Sequence, residues 1–325
     1  MRLIARRLGL YIVTAIVAIT VNFFIPHLMP GNPVLTLIGR MQAQISPQTI
    51  NALELQYGVN TSTGLWGQYL HYWDQLLHGN LGISLSSYPT PVTTLIRGAL
   101  PWTVGLVGVA TVLSFALGTL VGIVVAWRRG SWLDNILPAM TFFQAVPYFF
   151  LAILAVALFA TKLSWFPQNS AYDITLDPGF SGAYIASVLD HAVLPALTIV
   201  LASIAGWIIT MRNVMITTMD EDYVLIAQAK GLPSGRVISY AARNAILPSV
   251  SGFSLAVGFI VSGALLTEIV FSYPGVGFVL LQAISNEDYP LLQGIFLVIT
   301  FAVLAANLLA DFVYAFLDPR TRQEA

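Results

Sequence analysis

The feature that most constrains the fold of this chain is a set of six long segments without a single charged side chain. These segments are residues 8–39, 98–127, 135–161, 191–211, 244–267 and 289–310. A helix needs about 20 consecutive apolar residues to cross a bilayer, and each segment supplies that length. Only 9% of the 325 residues are charged, whereas a soluble domain has about 25%. The sequence therefore predicts an all-α integral membrane protein with six transmembrane helices.

Proline-containing sites set the predicted ends of the first two helices. Pro30-Gly31 and Pro101 are interpreted as helix breakers, because proline lacks the N–H that an internal helical position donates. The predicted helices then lie near residues 8–28, 102–127, 135–160, 192–211, 249–270 and 291–315. The first apolar stretch is longer than that of a signal peptide, and no clear cleavage site follows it. We therefore interpret it as an uncleaved first span.

The distribution of basic residues predicts which side of the membrane each connection occupies. With the N-terminus inside, eleven of the 14 Lys and Arg residues fall in inner segments. The inner residues are Arg2, Arg6, Arg7, Arg128, Arg129, Arg212, Lys230, Arg236, Arg243, Arg320 and Arg322, and the outer ones are Arg40, Arg97 and Lys162. Positive charge concentrates on the cytoplasmic side. This bias predicts that both ends of the chain are inside.

The connections between the predicted helices divide the chain into three parts. Residues 1–29 hold the cytoplasmic N-terminal end and the first transmembrane helix, and residues 30–100 form an extracytoplasmic region. Residues 101–325 form a core with five transmembrane helices and an inner loop at 212–248. The outer region has short helical patterns near 47–57 and 65–78. The second carries an aromatic stripe, which indicates either a small core or a membrane-interface belt. The stripe consists of Trp66, Tyr69, Tyr72 and Trp73.

The inner loop contains an apolar helical pattern at 220–231. Acidic residues at 220–222 suit the positive end of the helix dipole, Gly231 suits the position after the last turn, and Pro233 stops the helix. A second helix is predicted from Ser234 until Pro248. Residues 223, 226, 227 and 230 share one face of the first helix. The pattern leaves two interpretations open: a partner covers this helix, or the helix packs on its own bundle.

Several kinds of chemistry are missing from the sequence. The phosphate-binding pattern G-x-x-x-x-G-K-[ST] does not occur, there is no cysteine, and His71 and His78, which could share a helical face, are interpreted as surface residues rather than a metal site. We therefore predict no catalytic residue, no metal site and no enzymatic activity. The apolar runs also carry no ionisable group near their midpoints, and Glu268 and Asp311 are expected near helix ends where they reach water or headgroups. This weighs against ion-coupled transport, although unwound backbone can bind sodium.

The inner loop resembles the cytoplasmic loop of ABC-importer permeases. The matching stretch is DYVLIAQAKGLPSGRVISYAARNAILP at 222–248. Further similar pieces follow in order: PGNPV at 30–34, ELQYGV at 54–59, GNLGISL at 79–85, RRGSWLDNILP at 128–138, LTEIVFSYPGVGFVLLQAISNEDYPLLQG at 266–294 and DFVYAFLDPR at 311–320. The nearest family is that of the dipeptide and oligopeptide permeases, of the oligopeptide permease B type.

The resemblance implies a fold and a set of partners. The expected fold is the transmembrane domain of a type I ABC importer in a bacterial inner (plasma) membrane, in contact with membrane lipid and without a nucleic-acid partner. A second, homologous permease subunit would complete the pathway for imported dipeptides or oligopeptides. Two ABC ATPase subunits or domains would bind ATP and Mg, so this chain would need no cofactor. An extracytoplasmic peptide-binding protein would deliver the cargo.

The resemblance also implies functional residues. The expected ATPase-docking residues of the coupling helix are Tyr223, Ile226, Ala227, Lys230, Gly231 and Leu232. The candidate pathway or gate residues are Glu268, Pro274 and Gly275, with Gly275 expected at the positive-φ position of a type II turn. An ordinary turn is the alternative for this stretch, and an interfacial or inter-subunit ion pair is the alternative for Glu268.

The sequence departs from the family in two ways. Family members often carry basic or polar residues where this chain has Leu225, Ile226 and Gln228, and Asp where it has Asn32 and Asn80. The first departure predicts that the surface of this chain that contacts the ATPase is more apolar than in other family members. Alternatives to peptide import are a related importer of nickel or heme, a secondary ion-coupled transporter and a membrane enzyme. Separately, Gly118-x-x-x-Gly122 predicts a close approach of two helices.

Overall fold

The protein is almost entirely helical across the residues that the structure, a computed structural model, describes: 2–28, 64–258, 260 and 265–317. The helices are α1 (Arg2–Leu28), α2 (Leu65–Leu77), α3 (Val92–Trp127), α4 (Trp132–Ala145), α5 (Tyr148–Ala155), α6 (Gly182–Met219), α7 (Asp222–Ala229), α8 (Ser234–Gly258), α9 (Leu265–Val270), α10 (Val276–Ser285) and α11 (Tyr289–Leu317). A π-helix at Val156–Lys162 continues α5. The chain forms two compact units, 1–102 with 274–304 and 103–273 with 305–325.

Most predicted elements correspond to observed helices. The pattern at 65–78 is α2, the inner-loop pattern at 220–231 is α7, and the first and last predicted spans lie within α1 and α11. The predicted helix near 47–57 and the similar pieces at 30–34 and 54–59 lie outside the described residues. Three described helices are long and apolar enough to cross a membrane: Val92–Trp127, Gly182–Met219 and Tyr289–Phe312. Shorter apolar helices occur at Leu8–Phe24, Tyr148–Lys162 and Val276–Ser285.

The predictions that used proline as a helix terminator were wrong at two positions. Pro101 lies inside α3, which begins at Val92, and Pro248 lies inside α8, which continues to Gly258. Proline removes one backbone hydrogen bond but tolerates the helical φ, so neighbouring helices can hold the helix together across it. The inner-loop helix predicted after Ser234 and the start of the fifth predicted span are therefore one continuous helix.

The third predicted span contains a break that the sequence analysis missed. Helix α4 ends at Ala145, and Val146 and Pro147 have extended ψ angles of 123° and 141° before α5 begins. The residue before a proline avoids the helical region, because the proline ring collides with its backbone. The break falls near the midpoint of the predicted span 135–160, and both half-helices pack against α6.

The helix pair α3 and α6 is held at very short range in the second unit. A Cβ on Gly122 would lie 2.7 Å from the Ile208 carbonyl oxygen and 2.8 Å from the Met211 Cβ. A Cβ on Gly118 would lie 2.5 Å from the Trp207 Cβ. These distances confirm the close approach predicted from Gly118-x-x-x-Gly122. Beside it, the Ser114 and Ser203 hydroxyls share a hydrogen bond of 2.8 Å between the same two helices.

The first unit is tied together by a buried carboxylate. The Ser86 N–H and hydroxyl donate to Asp288 Oδ2 at 2.9 and 2.7 Å, and the Ser84 hydroxyl also donates to it. The Leu291 N–H donates to Asp288 Oδ1 at 3.2 Å, which is the bond of an N-cap at the start of α11. Asp288 has no solvent exposure. One carboxylate therefore both caps α11 and anchors the loop that precedes α3.

The aromatic stripe of α2 packs on α1 in the same unit. The Tyr69 and Tyr72 rings lie 5.3 and 5.7 Å from the Phe23 ring, between centroids. The Tyr69 hydroxyl shares a 2.8 Å hydrogen bond with Thr20. Trp66, in contrast, is 70% exposed. The stripe therefore provides a small aromatic core on one side and an exposed ring on the other.

We predict that Gly122→Ala destabilises the protein, because the added methyl group would collide with the α6 backbone. The expected loss is about 1–3 kcal/mol, as is usual for overpacking. Thermal unfolding of the detergent-solubilised protein measures it. Gly105→Ala is the matched control in the same helix, since a Cβ there meets nothing within 4 Å. An unchanged midpoint for Gly122→Ala would contradict the close contact.

Candidate functional site

The candidate site is built around α7, the short helix between α6 and α8. Its Val224 and Ala227 side chains are 0% and 5% exposed. Val224 belongs to a buried cluster with Met211, Met215, Val237 and other residues of α3, α6 and α8. The Asn244 side-chain amide also donates to the Tyr223 hydroxyl at 2.8 Å. Helix α7 is therefore fixed to both helices that flank it in the chain.

The opposite face of α7 is apolar and open. Leu225 and Ile226 are 47% and 53% exposed, and Ala229 is exposed beside them. These three residues lie away from the Val224 and Ala227 face, as expected for a helix with 3.6 residues per turn. We call this set the α7 apolar face. Apolar side chains grouped on an exposed helix are typical of an interaction surface.

The structure divides the six predicted docking residues between the two sides of α7. Tyr223, Ile226, Lys230 and Gly231 are exposed, and Leu232 is half-buried against the cluster beneath the helix. Ala227, which the sequence analysis placed among the docking residues, is instead buried against its own chain. The predicted common face of residues 223, 226, 227 and 230 is therefore wrong at Ala227, because the helical period alone does not show which side chains pack on α6 and α8. Leu225, known from sequence only as a departure from the family, replaces Ala227 on the exposed side.

The end of α7 follows its prediction. Gly231 has a φ of +70°, in the left-handed region that only glycine adopts without strain. The Gly231 N–H donates to the Gln228 carbonyl at 2.9 Å, and the Leu232 N–H donates to the Ala227 carbonyl at 3.3 Å. The predicted glycine position after the last turn is confirmed. The reversal turns the chain directly into α8.

An ion pair lies close to this site and was missed in the sequence analysis. The Arg212 Nε and Nη2 atoms of α6 both lie 2.7 Å from Asp134 Oδ1 in the first turn of α4. The Gly130 N–H donates to the other carboxylate oxygen at 3.1 Å. The two side chains are only 24% and 16% exposed. The Gly130 hydrogen bond and the Arg212 guanidinium together hold the pKa of Asp134 below its usual value.

Glu268, the candidate pathway residue, was predicted to reach water, but in the structure it does not. Its side chain has no solvent exposure, and Thr267 beside it is equally buried. Nearby, burial, the Glu268 charge and Tyr184 raise the pKa of the Tyr273 phenol to about 12, so this group stays protonated at neutral pH. The expectation of an exposed carboxylate near a helix end was wrong because packing around α9 closes the site.

The turn before α10 has a different conformation from the one predicted. Gly275 has a φ of −88° and a ψ of −178°, which is extended backbone. The positive φ in this stretch belongs to Ser272, at 47°. Gly275 therefore does not occupy the positive-φ position of a type II turn. It precedes the first residue of α10 as the N-cap, and the gate role of Pro274 and Gly275 stays a prediction.

Comparison with known proteins gives this arrangement a context. Residues 118–323 match the family described as "Binding-protein-dependent transport system inner membrane component". The chain is similar to the Di/tripeptide transport system permease protein DppB of Pseudomonas aeruginosa, with 34% identity covering 99% of this chain and 98% of the relative. It is also similar to the Dipeptide transport system permease protein DppB of Escherichia coli K12, with 33% identity covering 100% and 99%.

The chain belongs to this family.

As a permease of a binding-protein-dependent system, the protein is a multi-pass component of an importer that has other subunits. The family is not an ATPase family. The resemblance drawn from the inner-loop motif is therefore confirmed, and the matched segment includes α4 through α11. Among the described residues, no group of Asp, Glu, His or Cys side chains is arranged to hold a metal ion.

We predict that Asp134 and Arg212 stabilise the permease jointly. In a double-mutant cycle of Asp134→Asn and Arg212→Gln, measured by chemical unfolding, the coupling energy should be about 0.5–3 kcal/mol. The pair stabilises the folded state above the ordinary Asp pKa of about 3.9 and loses this effect as pH falls through the lower folded-state pKa. The Asp134→Asn variant should not show this loss of stability at low pH. Additive effects of the two substitutions would contradict the coupling.

Proposed function

We propose that this chain is the membrane permease subunit of an ATP-driven ABC importer that takes up dipeptides or oligopeptides. It forms half of the translocation pathway, and a second homologous permease subunit forms the other half. Two ABC ATPase subunits or domains bind ATP and Mg on the cytoplasmic side. An extracytoplasmic binding protein supplies the peptide. The names of the relatives from Pseudomonas aeruginosa and Escherichia coli support the choice of peptide as cargo.

The observation that carries the proposal is the two-sided character of α7. One side is buried, with Val224 in the buried cluster and Ala227 5% exposed, and the other side exposes Leu225 and Ile226. A helix that is fixed on one side and apolar on the other is suited to receive a force from a partner and pass it inward. In this proposal the α7 apolar face docks on an ATPase, with Tyr223, Lys230 and Gly231 at its margin.

Helix α6 gives the force a direct route into the membrane. It runs without interruption from Gly182 to Met219, where α7 follows. The rise of about 1.5 Å per residue puts Ser203 about 24 Å from the α7 end of the helix. A displacement of α7 is therefore transmitted by one rigid helix, α6, across more than half of the bilayer thickness. ATP binding to the partner ATPases would in this way shift the helix bundle of this chain from one of its two conformations to the other, although this chain itself binds no nucleotide.

We place the membrane crossings on six helical segments. They are α1, α3, the broken unit α4–α5 with its π-helix, α6, the later part of α8 with α9, and α11. Both chain ends and α7 then lie in the cytoplasm, together with most of the Arg and Lys residues, as the positive-inside rule requires. The extracytoplasmic region at 30–100 follows the first crossing, and the core at 101–325 holds the rest. The membrane is the inner (plasma) membrane of a bacterium.

We predict that Ile226→Glu disables peptide import without unfolding the permease. A carboxylate in the centre of the α7 apolar face would be buried without a partner when the ATPase docks, and a loss of at least about tenfold in uptake is expected for a central interface residue. The assay is ATP-driven uptake of a radiolabelled dipeptide by proteoliposomes that contain the whole importer.

The matched control is Ile226→Leu, which keeps the apolar surface and should transport at the normal rate. Both variants should reach the membrane in normal amounts and unfold at the normal temperature, because Ile226 is 53% exposed and is not one of the buried residues under α7. Ala227→Arg is a poor test, since a guanidinium at that buried position would disturb the cluster itself. Normal uptake by Ile226→Glu would rule out docking at this face.

A second measurement separates the proposal from its rivals. Uptake should persist when an ionophore collapses the membrane potential while ATP is kept, because in this proposal the ATPase partners supply the energy. Loss of uptake under that condition would indicate a secondary transporter. In the same vesicles a labelled dipeptide should accumulate, and nickel or heme should not. Accumulation of nickel or heme alone would assign the chain to a sister importer.

A further inference from the structure

The second unit contains a cavity of about 1040 Å³ among the helices that flank the break in the third predicted span. Its walls come from α3, the α4–α5 break, α6, α8 and α9. Polar wall residues carry hydroxyl groups: Thr111, Ser203, Thr210 and Thr267, with the Tyr148 phenol at the start of α5. None of the described residues that line it is Asp, Glu, Lys, Arg or His. The wall is therefore polar in places but carries no formal charge.

The broken helix brings backbone hydrogen-bonding groups to this cavity. Ala145, Val146, Pro147 and Tyr148 all line it. The last carbonyl groups of α4 have no partners inside their own helix. In the first turn of α5 the Phe150 N–H donates to the Pro147 carbonyl at 3.0 Å, which leaves the N–H groups of Tyr148 and Phe149 as the donors at the break. Such backbone is tolerated at membrane depth only where it is buried in protein or lines a cavity. The break therefore provides acceptors on one side and donors, with a positive dipole end, on the other.

Thr267 gives an independent sign that this wall is built for a polar ligand. It lines the cavity from α9, which packs on α5. The Thr267 side chain has no solvent exposure, and its hydroxyl oxygen has no hydrogen-bond partner. An unsatisfied buried hydroxyl costs about 1–3 kcal/mol, so its place in a cavity wall calls for a group that completes it.

We propose that this cavity is a peptide subsite of the translocation pathway and that it holds the peptide carboxylate between the start of α5 and Thr267. The inference rests on the proposed function and names the part of the substrate that the permease contacts. A short peptide carries a carboxylate and amide groups whatever its side chains are, and the cavity offers donors and acceptors without a charge that would select among side chains. The volume is at the upper end of the range of small-ligand pockets.

The alkylation rate of one engineered cysteine tests the inference. The natural chain has no cysteine, so Ala256→Cys in the cavity wall is the chain's only reactive thiol. The whole importer is solubilised without its binding protein and treated with iodoacetamide, with dialanine or dialanine amide present. We expect dialanine to slow the reaction about tenfold more than the amide does, as for the loss of a hydrogen bond to a charged group.

Two further variants assign the effect. Thr267→Val should remove the preference for dialanine over its amide. Thr119→Val should keep it, because Thr119 is also a buried hydroxyl without a partner but does not line the cavity. The reaction rate without peptide and the thermal midpoint show that both variants keep their fold. The comparison of dialanine with its amide in the Ala256→Cys chain, without any change at Thr267, tests the carboxylate contact by itself.

The outcomes are distinct. Equal protection by dialanine and its amide, no protection by either, or the same response of Thr267→Val and Thr119→Val would overturn the subsite while dipeptide uptake stays intact. Failure of the unsubstituted importer to accumulate dialanine with ATP would overturn the proposed function itself. Protection by dialanine that depends on Thr267 supports the subsite.

Discussion

The second unit depends on the close contact between the glycines of α3 and the backbone of α6. Apolar burial cannot drive helices together in lipid as it does in water, so small residues that permit close packing supply much of the association. Gly118 and Gly122 let Trp207 and Ile208 approach directly. Helix α6 also contacts α4 through Arg212, and α7 through the cluster around Met211 and Met215. One helix thereby connects α7, the ion pair and the cavity.

Much of this architecture follows from local rules that act within a few residues. Uncharged length marks the helices, the glycine pair marks the contact, and Gly231 ends α7 where a positive φ is required. Proline was misjudged because its effect is not local. At Pro101 and Pro248 the helix continues, whereas at Pro147 it breaks. Whether a missing hydrogen bond ends a helix depends on the neighbours that pack around it, and those neighbours are remote in sequence.

In the candidate site, too, some features follow from neighbouring residues and others depend on residues that are remote in sequence. The helical period predicted that residues 223, 226, 227 and 230 share one face of α7, and this prediction was wrong, because the packing of α7 on α6 and α8 decides which side chains face inward. Ala227 and Ile226 are adjacent in sequence and lie on opposite sides, one 5% and the other 53% exposed. Asp134 and Arg212 are 78 residues apart, and no local pattern joins them. Asp288 was not singled out from the sequence, and its bonds to Ser84 and Ser86, about 200 residues away, appear only in the folded chain.

The lack of charged residues along the apolar runs of this chain is consistent with transport that is powered by partner ATPases through α7. A transporter that couples to protons keeps ionisable groups at the binding site, because the proton must be bound and released there. A permease moved from α7 needs only a rigid connection and a site whose polarity does not trap the cargo. Helix α6 supplies the connection. In the proposed subsite, hydroxyl groups and helix ends around Pro147 would supply polarity without a fixed charge. Such contacts would let a peptide leave as readily as it enters.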